Sequence, residues 1–234
     1  MTADERAAPD PVDPVDLTDV AALVLAAGGG SRFAGASHKL LAPLGGRPLV
    51  EWAVAAAASA GLGHVVVVCG AVDVSDAARR AGGPAVVVVD HSAWRDGQGT
   101  SLKAGLDRCQ SLGCRAAVIG LGDQPLLGPG PWRAVARSTL APVVTATFAG
   151  RRSPPVRLDA SVWEMLSSSG NEGARELMRR RPDLVAEVAC EGDPTDVDTL
   201  EDLHRAQAAA SGPRRGGGGN GSNDATATGR QGFG

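Results

Sequence analysis

Two kinds of apolar pattern alternate along the chain. Val20–Leu25, Val65–Cys69, Ala85–Val89 and Ala116–Leu121 are short continuous apolar runs, as strands buried on both faces require. Between them, Leu49–Ala60, Val74–Ala81 and Ser101–Cys109 read as helices. This alternation predicts an α/β fold: a mostly parallel central sheet with helices on both faces. After residue 140 the pattern changes. Val143–Thr147 and Val156–Leu158 read as strands around a Gly150-Arg151-Arg152 turn, Ser161–Leu166 and Glu172–Arg180 as helices, and Leu184–Val188 as another strand. The C-terminal half is thus expected to form a small α+β part. Thr199–Ala210 is predicted to be the closing helix, with Thr199 as N-cap and Asp202 at its third position, close to a capping box.

The two ends have no such pattern. Residues 1–19 are rich in Asp and Pro, and residues 211–234 carry a Gly216–Gly219 run among Ser, Asn, Thr and Arg. Both are predicted to be disordered tails. One domain over residues 20–210 remains, with no internal linker or repeat.

Composition narrows the partners. The net charge of −3 gives no general basic field for nucleic acid or an anionic membrane. With four Trp, three Phe and no Tyr, a stacking platform for single-stranded nucleic acid is not expected. No apolar run reaches the roughly 20 residues needed to span a bilayer, and the N-terminus offers no secretory apolar stretch. Cys69, Cys109, Cys114 and Cys190 form no C-x-x-C pair and no zinc-type spacing, so they read as reduced thiols. The expected location is the cytoplasm.

Ligands of parallel sheets bind beyond the carboxyl ends of the strands, so the segments after each strand carry the candidate chemistry. The first strand empties into Leu25-Ala26-Ala27-Gly28-Gly29-Gly30-Ser31-Arg32-Phe33, with Lys39 a few residues on. Successive glycines let backbone N–H groups converge on one anion. Arg32 can fork onto phosphate oxygens and Lys39 can add a mobile point charge. Together they suit a triphosphate. The string G-x-x-x-x-G-K-[ST] of a P-loop does not occur. The dinucleotide fingerprint fails at Phe33 and lacks an acidic residue at Cys69-Gly70-Ala71.

Gly122-Asp123-Gln124-Pro125 follows the run Ala116–Leu121. A carboxylate there sits at the site mouth, and Mg²⁺ favours one or two carboxylates plus substrate phosphates. A turn aspartate is the plainer reading. Asp196-Val197-Asp198-Thr199-Leu200-Glu201-Asp202-Leu203 supplies more carboxylates, which could equally stabilise the start of the closing helix. Thr100 or Ser101 reads as the N-cap of the helix after Gly97-Gln98-Gly99. His38, His64, His91 and His204 show no ligand spacing, although His38 adjoins Lys39 and is a candidate phosphate contact.

The loop 25–33, and then His38-Lys39-Leu-Leu-Ala-Pro-Leu-Gly-Gly-Arg-Pro-Leu49, resembles the signature of the MobA-like NTP transferases, nearest within that family to the molybdenum cofactor cytidylyltransferases. The likeness runs through most of residues 20–205. It implies a Rossmann-like nucleotidyltransferase fold, with catalytic roles for Arg32, Lys39 and Asp123, and nucleotide binding by Leu25, Ala26, Ala27, Gly28, Gly29, Gly30, Ser31, Arg32, Lys39, Ser101 and Asp123. It also implies Mg²⁺ on Asp123 and Asp198, with Asp196 the second choice for the other ligand. The family's acceptor segments match Ser153-Pro154-Pro155-Val156 and Ser169-Gly170-Asn171-Glu172-Gly173-Ala174-Arg175, so Pro155, Asn171, Gly173 and Arg175 are the implied acceptor residues. Ala26-Ala27-Gly28 stands where guanylyl-transferring relatives usually show Ala-Gly-Gly, which implies CTP. The implied acceptor is the molybdenum cofactor, with a molybdoenzyme to receive the product. A sugar-phosphate or polyol-phosphate transferase of the same fold, or a non-catalytic cofactor carrier, remains the alternative.

Overall fold

The computed structural model describes residues 16–167 and 173–211. Asn171 and most of both tails lie outside these residues. The chain runs β1 (Val20–Ala26), β2 (Pro43–Leu44), β3 (Arg47–Pro48), α1 (Leu49–Ala58), β4 (His64–Cys69), α2 (Ser75–Gly82) and β5 (Val87–Asp90). There follow α3 (Gln98–Ser111), β6 (Ala116–Leu121), α4 (Pro129–Arg137), β7 (Val143–Phe148), β8 (Arg151–Asp159), α5 (Ala174–Arg180), β9 (Val185–Ala189) and α6 (Leu200–Ser211).

Seven strands make one sheet in the order β5-β4-β1-β6-β8-β7-β9. β1 pairs in parallel with both β4 and β6, and β5 in parallel with β4. β8 is antiparallel to both of its neighbours, and β9 is parallel to β7. One strand in the sheet is therefore reversed. The predicted mostly parallel, Rossmann-like sheet is what forms.

The continuous apolar runs feed two cores by strand alternation. Ala22 and Val24 of β1 join Val50 and Val54 of α1 and Trp132 and Val135 of α4 on one face. Ala21 and Leu23 join Leu102 and Leu106 of α3 on the other. Helix α6 adds Leu203 and Ala206 to the first core. Its start carries the reciprocal cap: the Asp202 N–H donates to Thr199 Oγ1 (3.1 Å), while Asp202 Oδ2 accepts from the Thr199 N–H (2.8 Å).

Four details depart from the sequence reading. The domain starts ahead of residue 20, because Leu17 is buried and its carbonyl accepts from Gly63 N–H, and Asp19 pairs with Arg115. Helix α4 was hidden by its Gly and Pro residues. Pro129 is its first residue, where a missing N–H costs nothing. β8 is longer than Val156–Leu158, because its polar start Arg151–Ser153 lies at the rim of the sheet and carries no apolar signal. Gly97, with φ 118°, precedes α3 at the cap position. Thr100 sits inside the first turn and returns its hydroxyl to the Gly97 carbonyl at 2.8 Å.

Reversal of β8 matters for the site. Its register pairs Ile119 near the end of β6 with Val156. The beginning of β8 therefore reaches the same edge of the sheet as the ends of β1 and β6.

Candidate active site

The loop after β1 opens a cleft of about 670 Å³ along that edge. Leu25 through Gly30, Lys39, Ser101 and Asp123 all line it, together with Trp94, Gln98 and Leu121. Leu25 is the penultimate residue of β1, and Asp123 stands two residues past β6. The Gly122 N–H donates to the Leu25 carbonyl (2.9 Å), so the two strand exits are tied together. Gly30 has φ +58°, a backbone region that glycine adopts without strain. Gly29 is fixed by close approach: a Cβ there would lie 2.9 Å from the Trp94 ring.

Lys39 heads a short 3₁₀ turn, Lys39–Leu41, and its side chain is only 9 % exposed. Its ammonium donates to Asp123 Oδ2 at 2.6 Å and to Asp198 Oδ1 at 2.9 Å. Arg32, at the open side, brings Nη2 to 2.7 Å from Asp198 Oδ2. Burial alone would lower the Lys39 pKa, but the two aspartates override it, so Lys39 is raised above its ordinary value and stays charged. The chain crosses itself to bring these groups together. Val197 N–H donates to the Asp123 carbonyl (2.9 Å), and buried Gln124 donates its Nε2 to the Pro194 carbonyl (2.8 Å).

Asp196 lies beside this cluster, with Oδ1 buried and without a hydrogen-bond partner. Its burial, then the Asp123 and Asp198 charges, push its pKa up. Asp202 is drawn the other way, to about 2, by the Thr199 hydroxyl, Arg205 and the backbone N–H groups at the start of α6.

Among the described residues no group of three His, Cys, Asp or Glu side chains is placed to hold a metal ion by itself. Asp123 and Asp198, which share one ammonium, offer the one or two carboxylates that Mg²⁺ takes when substrate phosphates complete its shell. The orphaned oxygen of Asp196 adds a further acceptor beside them. The residues present fit a divalent cation that arrives with a triphosphate.

A second cavity, of about 370 Å³, shares Leu25, Gln98 and Leu121 with the first. Its inner wall is apolar, with Leu102, Ile119, Val156 and Met178. Arg152, Arg175 and Arg179 supply charge, and Ser153, Pro154 and Gly173 are among the other residues of the lining. Pro155 is buried and lies outside this lining. From β8 the lining takes Arg152, Ser153, Pro154 and Val156 instead. Ser31 is exposed and lies outside the lining of the cleft. His38 does not reach the cleft with a free nitrogen. Its Nε2 lies 3.0 Å from the Gly28 carbonyl, and its Nδ1 accepts from Leu40 N–H at 3.3 Å.

Sequence reasoning missed Gln98, which borders both cavities, and Arg152, which the reversed β8 carries to the rim. The signal for Arg152 was its place at the start of a strand, legible only once that strand is known to run backwards.

A sheet edge with a glycine loop, a lysine between two aspartates and a two-part cleft defines the nucleotidyltransferase class. The model of the MobA-like NTP transferase domain matches residues 22–185, and the chain belongs to that family. It is 35 % identical over 207 residues to nicotine blue oxidoreductase of Paenarthrobacter nicotinovorans, covering 81 % of this chain and 97 % of that protein. It is 28 % identical to the purine catabolism protein PucB of Bacillus subtilis (strain 168), covering 80 % and 96 %. The crystal structure of Rv0371c from Mycobacterium tuberculosis H37Rv superposes with a TM-score of 0.68 at 25 % identity, covering 82 % of this chain and all of that one. A manganese complex of Rv0371c gives a TM-score of 0.64 at 26 % identity, covering 81 % and 98 %.

Proposed function

We propose that the protein is a cytoplasmic, Mg²⁺-dependent cytidylyltransferase that moves CMP from CTP onto the phosphate of the molybdenum cofactor and releases pyrophosphate. The observation that carries this reading is the buried Lys39 ammonium between Asp123 and Asp198, on a glycine-loop cleft that opens into an apolar, arginine-rimmed cavity. At about 670 Å³ the cleft has room for a nucleoside triphosphate. The second cavity pairs an apolar wall with arginines, which suits a flat fused ring carrying an anionic group; a pterin phosphate has both, whereas a sugar phosphate has no flat ring.

The acceptor phosphate oxygen attacks the α-phosphorus. One P–O bond forms there as the α–β bridging bond breaks, and the electron pair leaves with pyrophosphate. The nucleophile is already anionic, so no general base is required. The protein's work is positioning and charge neutralisation. Lys39 and Arg32 sit where charge builds on the triphosphate, and the loop N–H groups of Gly28–Gly30 cradle it. Asp123 and Asp198 would hold Mg²⁺, whose role is to neutralise phosphate charge. CTP is favoured by Ala26-Ala27-Gly28.

The test is a matrix of four NTPs against the molybdenum cofactor, sugar phosphates and polyol phosphates, read as pyrophosphate release with and without Mg²⁺. The reading expects release with CTP, the cofactor and Mg²⁺ together. GTP turnover equal to or above that of CTP would overturn the base assignment, and release only with a sugar or polyol phosphate would overturn the acceptor. The 35 % identical relative named an oxidoreductase favours a second reading, in which the same cleft takes a nicotinamide nucleotide. Quenching or enhancement of NADH fluorescence by the protein, without pyrophosphate release in the matrix, would support that reading instead.

A further inference from the structure

His38 is not used by the mechanism above, yet both of its ring nitrogens are engaged with backbone. Nδ1 accepts from Leu40 N–H (3.3 Å), so the proton of the neutral ring is on Nε2, which donates to the Gly28 carbonyl (3.0 Å). Burial, and then the adjacent Lys39 charge, hold the ring below its ordinary pKa, which keeps Nδ1 free to accept. The first bond caps the 3₁₀ turn that presents Lys39. The second spans ten residues to the crest of the glycine loop. A Cβ on Gly30 would lie 3.3 Å from His38 Nε2 and 3.1 Å from Lys39 Cγ, so the loop rests directly on the His38-Lys39 pair.

We propose that His38 is a positioning residue: a latch that joins the glycine loop to the Lys39 turn and so sets the loop N–H groups at a fixed height over the Lys39 ammonium. The geometry follows from peptide planarity. In a trans peptide the C=O and the next N–H point to opposite sides. Pinning the Gly28 carbonyl onto His38 therefore turns the Gly29 N–H away from His38 and toward the cleft that Gly28–Gly30 line. A loop of successive glycines has little preference of its own for that orientation, so an outside group has to impose it.

The use of the latch in NTP binding rests on the function proposed above, whereas its existence does not. The test compares His38→Asn and His38→Gln with the parent protein. Asn keeps a short-range acceptor for Leu40 N–H but cannot span to Gly28. Gln can place a donor near the Gly28 carbonyl but offers a poorer cap. Amide exchange at Phe33, whose N–H closes the loop on the Gly30 carbonyl (2.9 Å), reads the latch itself in the ligand-free protein. The expected result is exchange faster by about tenfold in His38→Asn, as loss of one such hydrogen bond implies, with partial recovery in His38→Gln. In pyrophosphate release, the KM for NTP should rise about tenfold in His38→Asn with kcat nearly unchanged, again the size of one hydrogen bond. Unchanged exchange in His38→Asn overturns the latch. Faster exchange with an unchanged KM leaves a latch that serves folding alone and overturns its positioning role. Faster exchange in a protein that turns over no NTP removes the proposed function while the latch stands.

Discussion

Replacing Lys39 by Met separates structure from chemistry at this site. Methionine keeps most of the aliphatic stem and deletes the ammonium that bridges Asp123 and Asp198 at 2.6 and 2.9 Å. At an effective dielectric of about 20, each contact is a gross attraction of roughly 6 kcal/mol. Desolvation of the ammonium, at several kcal/mol, cancels much of that. Breaking a fully buried pair costs about 3 to 5 kcal/mol. Here the aspartate side chains keep 19 % and 27 % exposure, so water can reach them once the lysine is gone. The expected loss of stability is therefore smaller, about 1 to 3 kcal/mol. The loss of activity should be larger, about 10²- to 10³-fold in kcat, the usual size for one group aimed at transition-state charge. Urea unfolding and pyrophosphate release measure the two.

The pH dependence follows from the raised Lys39 pKa. A cation held above its ordinary value adds stability that is complete below the unfolded value of 10.5 and disappears as pH climbs through the folded value. The gap in urea midpoint between parent and Lys39→Met should therefore be constant near neutrality and close only in strong base. Activity within about threefold of the parent, an effect too small for a group aimed at transition-state charge, would refute the placement of Lys39 in the chemistry.

Gly29→Ala should push the Trp94 ring off the loop, since the new Cβ would sit 2.9 Å from it. NTP binding by titration calorimetry should weaken, and adding Trp94→Ala should recover part of the loss. Thr199→Ala should destabilise the fold by about 1 kcal/mol, the usual cost of a lost N-cap, as thermal unfolding would show. Asp202, held at about 2 against an ordinary 3.8, adds stability that is present above 3.8 and fades as pH falls toward 2. Denaturation midpoints of Asp202→Asn should thus converge on those of the parent in acid. Arg152→Ala should raise the KM for the acceptor and leave the KM for NTP unchanged. The opposite pattern in initial-rate kinetics would remove Arg152 from the acceptor wall.

The parallel half of the fold was legible because strands such as Ala116–Leu121 are buried on both faces and leave no polar position to blur the pattern. The reversed half was harder to read. Arg151–Ser153 and Pro154-Pro155 carry neither alternation nor an apolar run, yet they form strand because β7 pairs with Arg151–Ser153 and β6 and β7 both pair with the Val156–Leu158 stretch that follows. Helix α4 hides behind two prolines, and its Trp132 and Val135 declare themselves only in the packed core. At the site, Arg32, Lys39 and Asp123 could be picked from residue type and place after a strand, whereas Asp198 was implied by the family resemblance alone. Their union depends on tertiary links such as Gln124 to Pro194, which no local pattern announces.

The reversed strand also divides labour between two parts of the chain. The triphosphate side is built from exits of parallel strands, whose glycine and aspartate positions are tightly constrained by one another. The wall opposite is carried by a hairpin whose tip, Ala149-Gly150, is exposed. Under the proposed function, exchanging residues along that hairpin, such as Arg152, would retune which molecule receives the nucleotide while the machinery that activates the nucleotide is left untouched. A lineage diversifying from this scaffold has a ready place to change its second substrate.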